Sequence, residues 1–326
     1  MNNRHRSLGL VLGFAADRWL GDPRRYHPVA GFGQVAGRLE SRLYSDSKAA
    51  GTTYAALLIT TAATVGVAAE KLTAGRPITR TLLTAAATWA VLGGRSLERE
   101  AEIMAGYLDA KELETARDRL SYLCSRDATD LEADELARAT VESVAENTSD
   151  ATVAPLVWGG LLGIPGLIGY RAINTLDAMV GYKSPRYRNF GWASARLDDA
   201  VNLLPARVCA VLTGVVSGRP GKAWRIWRRD APGHPSPNAG PVEASFAGAL
   251  GVRLGGVNTY GSAVEDRGTL GDGLPPTVGD IRRTATLARR VAYAAAALAT
   301  IVALRPDRRG RRSGTDSQPG GERACI

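Results

Sequence analysis

Four stretches of this chain carry no charged residue, and charges fence each of them. They run from Ala49 to Ala69 between Lys48 and Glu70, and from Thr81 to Gly94 between Arg80 and Arg95. The others run from Ala151 to Tyr170 between Asp150 and Arg171, and from Val291 to Leu304 between Arg290 and Arg305. A membrane-crossing helix needs about 20 apolar residues, whereas runs of roughly 10–14 more often form buried or re-entrant helices. Only the first and third reach the longer class, and the third contains Pro155 and Pro165. The mean hydropathy of −0.11 averages this patterning away. Only 6% of residues are aromatic and 37 are glycine, a composition that suits helices packing closely through small side chains. The apolar start SLGLVLGFAA (residues 7–16) follows Arg4 and Arg6, but Asp17, Arg18 and Asp22 stand where a cleavage site would be. It reads as an uncleaved first helix.

The exclusions are equally informative. Three cysteines (Cys124, Cys209, Cys325) lie far apart, which rules out a disulfide scaffold or a cysteine-rich zinc site. Three histidines (His5, His27, His234) show neither HxxxH nor HExxH spacing, and no GxxxxGK[ST] occurs. With 41 basic and 32 acidic residues the net charge is +9, and the excess is clustered. Arg219, Lys222, Arg225, Arg228 and Arg229 follow one apolar run, and Arg305, Arg308, Arg309, Arg311 and Arg312 follow another. Basic blocks beside apolar runs read as cytoplasmic flanks. A nucleic-acid patch lacks interleaved aromatics beyond Trp224 and Trp227.

No period-2 alternation is sustained and no internal repeat occurs, so the fold class expected is all-α: a multi-pass membrane helical bundle with long ordered Gly/Pro-rich loops. Residues 1–305 form a single membrane-embedded catalytic domain and residues 306–326 a disordered basic tail. Residues 49–97 read as two helices joined at Gly75-Arg76-Pro77, and Thr129-x-x-Glu132 as a capping box. Residues 231–280, rich in Gly and Pro, read as a long ordered loop region.

Three constellations carry chemistry. In VESVAENTSDATVAP (141–155), Glu142, Glu146 and Asp150 stand at i, i+4 and i+8, along one helical face. Aligned acids repel each other by a few tenths of a kcal/mol per pair, and a divalent cation reverses that sign. Asn147 and Ser149 add neutral polar groups. A solvated face is the ordinary reading of such a run, but these acids abut a long apolar stretch, where ionisable groups are functional candidates. In residues 170–207, Tyr170, Asn174 and Asp177 share a face, Asp198 can pair with Asn202, and Arg196 shares a face with Asp199. Between them lies GYKSPRYRNFG with Lys183, Arg186 and Arg188. A basic loop between acidic helices suits a phosphate held with its metal, and suits an interhelical salt-bridge network equally well. In RDAPGHPSPNAGPVEA (229–244) four prolines present His234 and Asn238, the histidine as an acid/base, a phosphate donor or a plain surface residue. The run GALGVRLGGVNTYG (248–261), with Arg253, offers backbone N–H groups to phosphates or is simply a flexible loop.

Taken in order, six segments resemble the CobD/CbiB family, the adenosylcobinamide-phosphate synthases of cobalamin biosynthesis. They are Asp17-x-x-x-Gly21-Asp22-Pro23 with His27-Pro28-Val29, then Val141–Asp150, Asn174–Tyr182, Phe190–Asp199, Arg229–Gly240 and Gly248–Gly256. The resemblance covers residues 11 to 290, and it departs at Ser125, where family members usually carry Gly before Arg-Asp. It implies a multi-pass inner-membrane enzyme with cytoplasmic catalytic loops. The implied reaction is ATP- and Mg²⁺-dependent amide formation between the propionate carboxylate of adenosylcobyric acid and aminopropanol or its phosphate, with other late pathway enzymes as possible neighbours. Nucleic acid is not a partner. On this reading Glu142, Glu146, Asp150, Asp177, Asp198 and Asp199 are the metal candidates. Glu146, Asp177 and His234 are the catalytic ones. Asn147, Asn174, Lys183, Arg186, Arg188, Arg196, Asn238 and Arg253 are the substrate and phosphate candidates. Trp158, Trp192 and Tyr260 are candidate flat contacts for the corrin ring. Two rivals stand beside it. An intramembrane prenyltransferase-like enzyme would use Asp198-Asp199-x-x-Asn202 as half of an Asp-rich box. A corrinoid transporter or scaffold would not turn over ATP.

Overall fold

The computed structural model describes residues 4–23, 27–182, 184–260 and 263–304, and at 259, 260, 263 and 264 only the main-chain course. Lys183 and the basic tail from Arg305 onward lie outside these residues. In chain order the helices are α1 (Arg4–Leu20), α2 (Pro28–Leu43), α3 (Lys48–Leu72), α4 (Pro77–Val91), α5 (Gly94–Asp109), α6 (Leu113–Leu120) and α7 (Ala133–Thr148). A π-helical turn, Ser149–Val153, leads without a break into α8 (Ala154–Leu162). Then come α9 (Ile164–Val180), α10 (Trp192–Val216), α11 (Pro220–Asp230), α12 (Ala239–Leu250) and α13 (Val278–Leu304). One antiparallel hairpin, β1 (Leu254–Tyr260) and β2 (Ala263–Leu270), stands between the last two helices. The chain is therefore mainly helical, as expected.

Among the described residues three helices, α3, α10 and α13, are long and apolar enough to cross a membrane. Two of them contain charge-free runs found in the sequence. The run Ala151–Tyr170 is not one helix. Gly163 adopts φ +74°, a left-handed conformation that glycine tolerates, and splits it into α8 and α9. Conversely, α10 has no charge-free run long enough to announce it, because Arg196, Asp198, Asp199 and Arg207 interrupt it. Its exposed Leu197, Leu204, Val211 and Val215 nevertheless follow helical spacing and make an apolar stripe.

The expected small-residue packing is clearest between α1 and α4. A side chain at Gly13 would collide with the Ala85 carbonyl and Thr88, so the two backbones approach directly. The main core gathers α13 with α1, α5, α7, α8, α10 and α12, through residues such as Leu10, Met104, Leu136, Leu156, Phe246 and Val291. A smaller core of Ala36, Tyr54, Leu176 and Phe190 joins α2, α3, α9 and the turn before α10.

Two prolines sit inside helical stretches, and each frees a carbonyl four residues earlier. Pro155 frees that of Ala151, and the Gly93 N–H donates to it at 3.1 Å. Pro205 frees that of Val201, and the Trp158 indole N–H donates to it at 3.1 Å. Both interruptions are thus satisfied from neighbouring elements. Trp158→Phe leaves the Val201 carbonyl without a partner, at an expected cost of about 1–3 kcal/mol. Pro205→Ala in the same background restores an N–H and should recover most of the loss. Thermal denaturation of the two variants in detergent measures both effects, and an unchanged midpoint for Trp158→Phe would count against this role.

Two local expectations are corrected. The helix expected from a Thr129 cap starts later, at α7, where the Glu132 N–H donates to the Glu135 carboxylate at 3.1 Å. Thr129 bonds Asp127 instead, through N–H (3.0 Å) and hydroxyl (2.7 Å). Residues 231–280 are not a long loop, since they hold α12 and the hairpin. Every residue of α12 is buried. A helix apolar on all sides shows no amphipathic period, and that hid it in the sequence.

Candidate functional site

The acidic residues converge. Glu146 from α7, Ser149 and Asp150 from the π turn, Asp177 from α9, Asp198, Asp199 and Asn202 from α10, and Ser236, Asn238, Ala239 and Val242 at the start of α12 line one cavity of about 130 Å³. Among the described residues no Lys, Arg or His lines it. The π turn shapes this wall: the Ala154 N–H reaches the Ser149 carbonyl five residues back, and such turns recur at functional sites.

Amide groups hold the carboxylates in place. Asp198 accepts from Asn202 at 2.9 Å and from Asn174 at 3.5 Å. The Tyr170 hydroxyl lies 3.0 Å from the Asn202 side-chain oxygen and 3.3 Å from the Asp150 carbonyl. Asn238 donates to the Asp199 carbonyl at 2.8 Å and accepts from Arg207 at 3.0 Å. Arg171 donates to Asn174 at 3.3 Å. Burial, and then the neighbouring Asp198, Glu146 and Asp177 charges, raise the Asp150 carboxyl well above its ordinary range, with Arg171 opposing. Burial, followed by Asp198, Asp199 and Glu146, pushes Asp177 up to about 7. Five carboxylates around one cavity are mutually repulsive unless protons or a cation compensate them.

Hard oxygen donors of this kind suit Mg²⁺. The buried Ser149 hydroxyl lines the cavity and has no hydrogen-bond partner among the described residues, as expected of a group that waits for a ligand or water. Among the described residues no three acidic, His or Cys side chains draw together as a closed metal cage. Mg²⁺ does not require one, because it retains water and phosphate oxygens and binds through one or two carboxylates. The residues present therefore fit that ion.

Other expected site residues fall elsewhere. Glu142 does not join the acids. It is buried, with its carboxylate 2.5 Å from Arg126 and 3.6 Å from Arg138, and it accepts from the Gly255 N–H at 2.7 Å. At 100° per residue an i, i+8 pair is already some 80° apart, enough to send Glu142 under the hairpin. Gly255 thus uses its N–H on Glu142, and Arg253 is exposed with its N–H on the Leu274 carbonyl. The glycine run offers no phosphate cradle there. Asn147 donates to the Ser143 and Leu123 carbonyls, within the scaffold. Arg186 is exposed, 3.0 Å from Glu40 and stacked on Tyr44, and Arg188 is exposed nearby. The Asn189 amide donates to Asp46, so this loop is fastened toward α2 and α3. Among the described residues, Arg196 is the one expected basic side chain that pairs with a cavity acid, at 3.9 Å from Asp199. Trp192 is exposed beside Lys48.

His234 does not line the cavity. Its Nδ1 accepts from the Ser236 N–H at 3.0 Å, and its Nε2 faces Glu243 at 3.8 Å, both side chains fully enclosed. Glu243 also accepts from Arg267 at 3.0 Å. Burial, and then Arg267, hold the imidazole down to about 4 from 6.5. A depressed histidine contributes stability that is present above 6.5 and lost as pH falls through about 4. The midpoint of His234→Gln should accordingly fall less steeply than that of the parent between pH 6.5 and 4, and parallel slopes in thermal melts would refute it. Sequence reasoning missed Arg171, Arg207 and Ser236. The Ser236 hydroxyl accepts from the Asn238 and Ala239 N–H groups at the start of α12, a cap signal readable from Ser-Pro-Asn.

Comparison with known proteins follows the same line. The CobD/Cbib protein family matches residues 10–288. A Mycobacterium tuberculosis protein described as "Cobalamin biosynthesis protein CobD" is 49% identical over 306 residues, covering 92% of this chain and 96% of the relative. Proteins of the same description from Chromobacterium violaceum (42% identical, 91% and 97% covered) and Rhodobacter capsulatus (39%, 86% and 92%) are also similar. No solved structure matches.

Proposed function

The chain belongs to the CobD/CbiB protein family, and from that premise we propose that it joins an aminopropanol unit to the propionate carboxylate of adenosylcobyric acid in cobalamin biosynthesis, with ATP and Mg²⁺. One observation carries the reading: five carboxylates from α7, the π turn, α9 and α10 face one polar cavity that no basic side chain lines among the described residues. The relatives' shared description supports the pathway.

A free carboxylate does not condense with an amine in water, so it must be activated. The substrate carboxylate attacks the terminal phosphorus of ATP, and ADP leaves. The amine nitrogen then attacks the acyl carbon, forming the C–N bond as the C–O bond to phosphate breaks. ADP, inorganic phosphate and one proton are the products. Glu146, Asp150, Asp177, Asp198 and Asp199 would hold Mg²⁺, which when bound neutralises phosphate oxygens. Arg196 at the rim is placed to meet phosphate, and Arg207 fixes Asn238 in the cavity wall. The amine's proton passes to a cavity carboxylate. That carboxylate is one that Mg²⁺ leaves uncoordinated, since a bound cation draws down the proton affinity that mutual repulsion raises. His234 is enclosed against Glu243 and instead supports the turn that carries Ser236 and Asn238.

We place the protein in the inner membrane through its long apolar helices. The deciding experiment mixes purified protein with adenosylcobyric acid, aminopropanol or its phosphate, ATP and Mg²⁺. Mass spectrometry is expected to show the amide and ADP in equal amounts. Corrinoid binding with no ATP consumption would overturn the enzymatic reading in favour of a carrier or scaffold.

A further inference from the structure

A second cavity is larger than the acidic one. A cleft of about 380 Å³ lies between the turn after α10, the end of α12 and the first half of α13, with Arg219, Arg282, Arg283 and Arg290 in its wall. It shares no residue with the acidic cavity, and roughly 27 Å of α10 separates Asp199 from Ser217, which lines the cleft.

The charges are only partly compensated. Arg282 pairs with Asp109 at 2.5 Å, and Arg283 pairs with Asp280 at 2.5 Å. Among the described residues neither Arg219 nor Arg290 has a carboxylate within 4.0 Å; Arg219 makes one long bond of 3.4 Å to the Ala249 carbonyl. Two uncompensated guanidinium groups facing one cleft constitute an anion site.

Its position identifies the anion. Arg290 is the last charged residue before the charge-free run Val291–Leu304. On the other wall, Ser217 and Arg219 follow directly on the exposed Val211 and Val215 of α10. Next to that turn, α11 exposes Trp224, whose ring packs edge-on against Trp227. Arginine, tryptophan and the ends of apolar helices at one level mark a headgroup boundary.

We propose that this cleft binds the phosphate of an anionic glycerophospholipid, with Arg219 and Arg290 supplying the charge and the adjoining apolar stripe of α10 receiving the acyl chain. The inference does not depend on the reaction assigned above.

Native mass spectrometry of the full-length protein in detergent tests it, with phosphatidylglycerol, phosphatidylcholine and inorganic phosphate as separate additions. Retained phosphatidylglycerol adducts are expected, and phosphatidylcholine should be retained at least about tenfold less. The double variant Arg219→Gln/Arg290→Gln should lose the preference. The charge-matched Arg42→Gln/Arg99→Gln, with both changes at exposed positions on α2 and α5, should keep it. Equal phosphatidylglycerol retention in the cleft variant would overturn the proposal. So would displacement of the lipid by millimolar inorganic phosphate, which would assign the cleft to a free anion. Unchanged circular dichroism and a monodisperse profile confirm that the cleft variant is folded.

Discussion

Asp177→Asn and Glu146→Gln should each lower amide formation by about 10²–10³-fold, the range found when one preorganised electrostatic group is removed from a reaction site. The same substitutions should not unfold the protein. They remove one carboxylate from a group of five that faces a cavity with no basic lining among the described residues, so without Mg²⁺ the melting temperature should hold or rise. Adding Mg²⁺ should then stabilise the parent more than either variant, because a ligand that binds only the folded state raises its stability by mass action. Lower activity, intact folding and a blunted Mg²⁺ response form one signature, read by product mass and by thermal shift. A folded variant with full activity would remove the metal assignment.

Glu142→Ala should behave in the opposite way. Glu142 and Arg126 are both almost fully enclosed, and removing Glu142 takes away the buried carboxylate that Arg126 and Arg138 share, at a cost of about 3–5 kcal/mol. Arg126→Met should cost a similar amount. Replacing both, as Arg126→Met/Glu142→Leu, should recover much of the stability, since a buried pair exchanged for apolar side chains is often neutral. Chemical denaturation of the three variants supplies the cycle. If Glu142→Ala instead kept its stability and lost the Mg²⁺ response, the carboxylate would belong with the metal group after all.

These two acids differ by one helical turn, and the sequence treats them alike. Spacing put Glu146 and Asp150 on one helix face and Asp177, Asp198 and Asp199 on others, and the family resemblance joined them into one metal group. Spacing was blind to Arg126, which comes from a separate loop to claim Glu142. The basic loop failed for the same reason. Arg186 has a sequence position between acidic helices, but Glu40 and Tyr44 from α2 and its end hold it elsewhere. The long apolar helix α3 was legible because its charges sit only at its ends. The start of α12 was not, because glycine, proline and alanine around a cavity look like a loop until burial explains them. The hairpin was hidden too: LGGVNTY and AVEDRGTL lack an alternating apolar face, and their register shifts between Gly255 and Val257.

The π-helical turn at Ser149–Val153 carries a consequence for how this protein tolerates change in length. A π turn holds one residue more than an α-helical turn, so everything beyond it is rotated by about 100° relative to an uninterrupted helix. The turn takes up that single surplus residue, and α8 keeps the side that meets α13 and the Trp158 indole that reaches α10. Deleting one residue from 149 to 153 would let the chain close as an ordinary α-helix with α8 near its present azimuth, and would remove instead the bulge that presents Ser149 and Asp150 to the cavity. A loss of one residue here therefore acts on the cavity wall rather than on the packing of α8, and a substitution tolerated for its chemistry is no guide to the effect of a change in count.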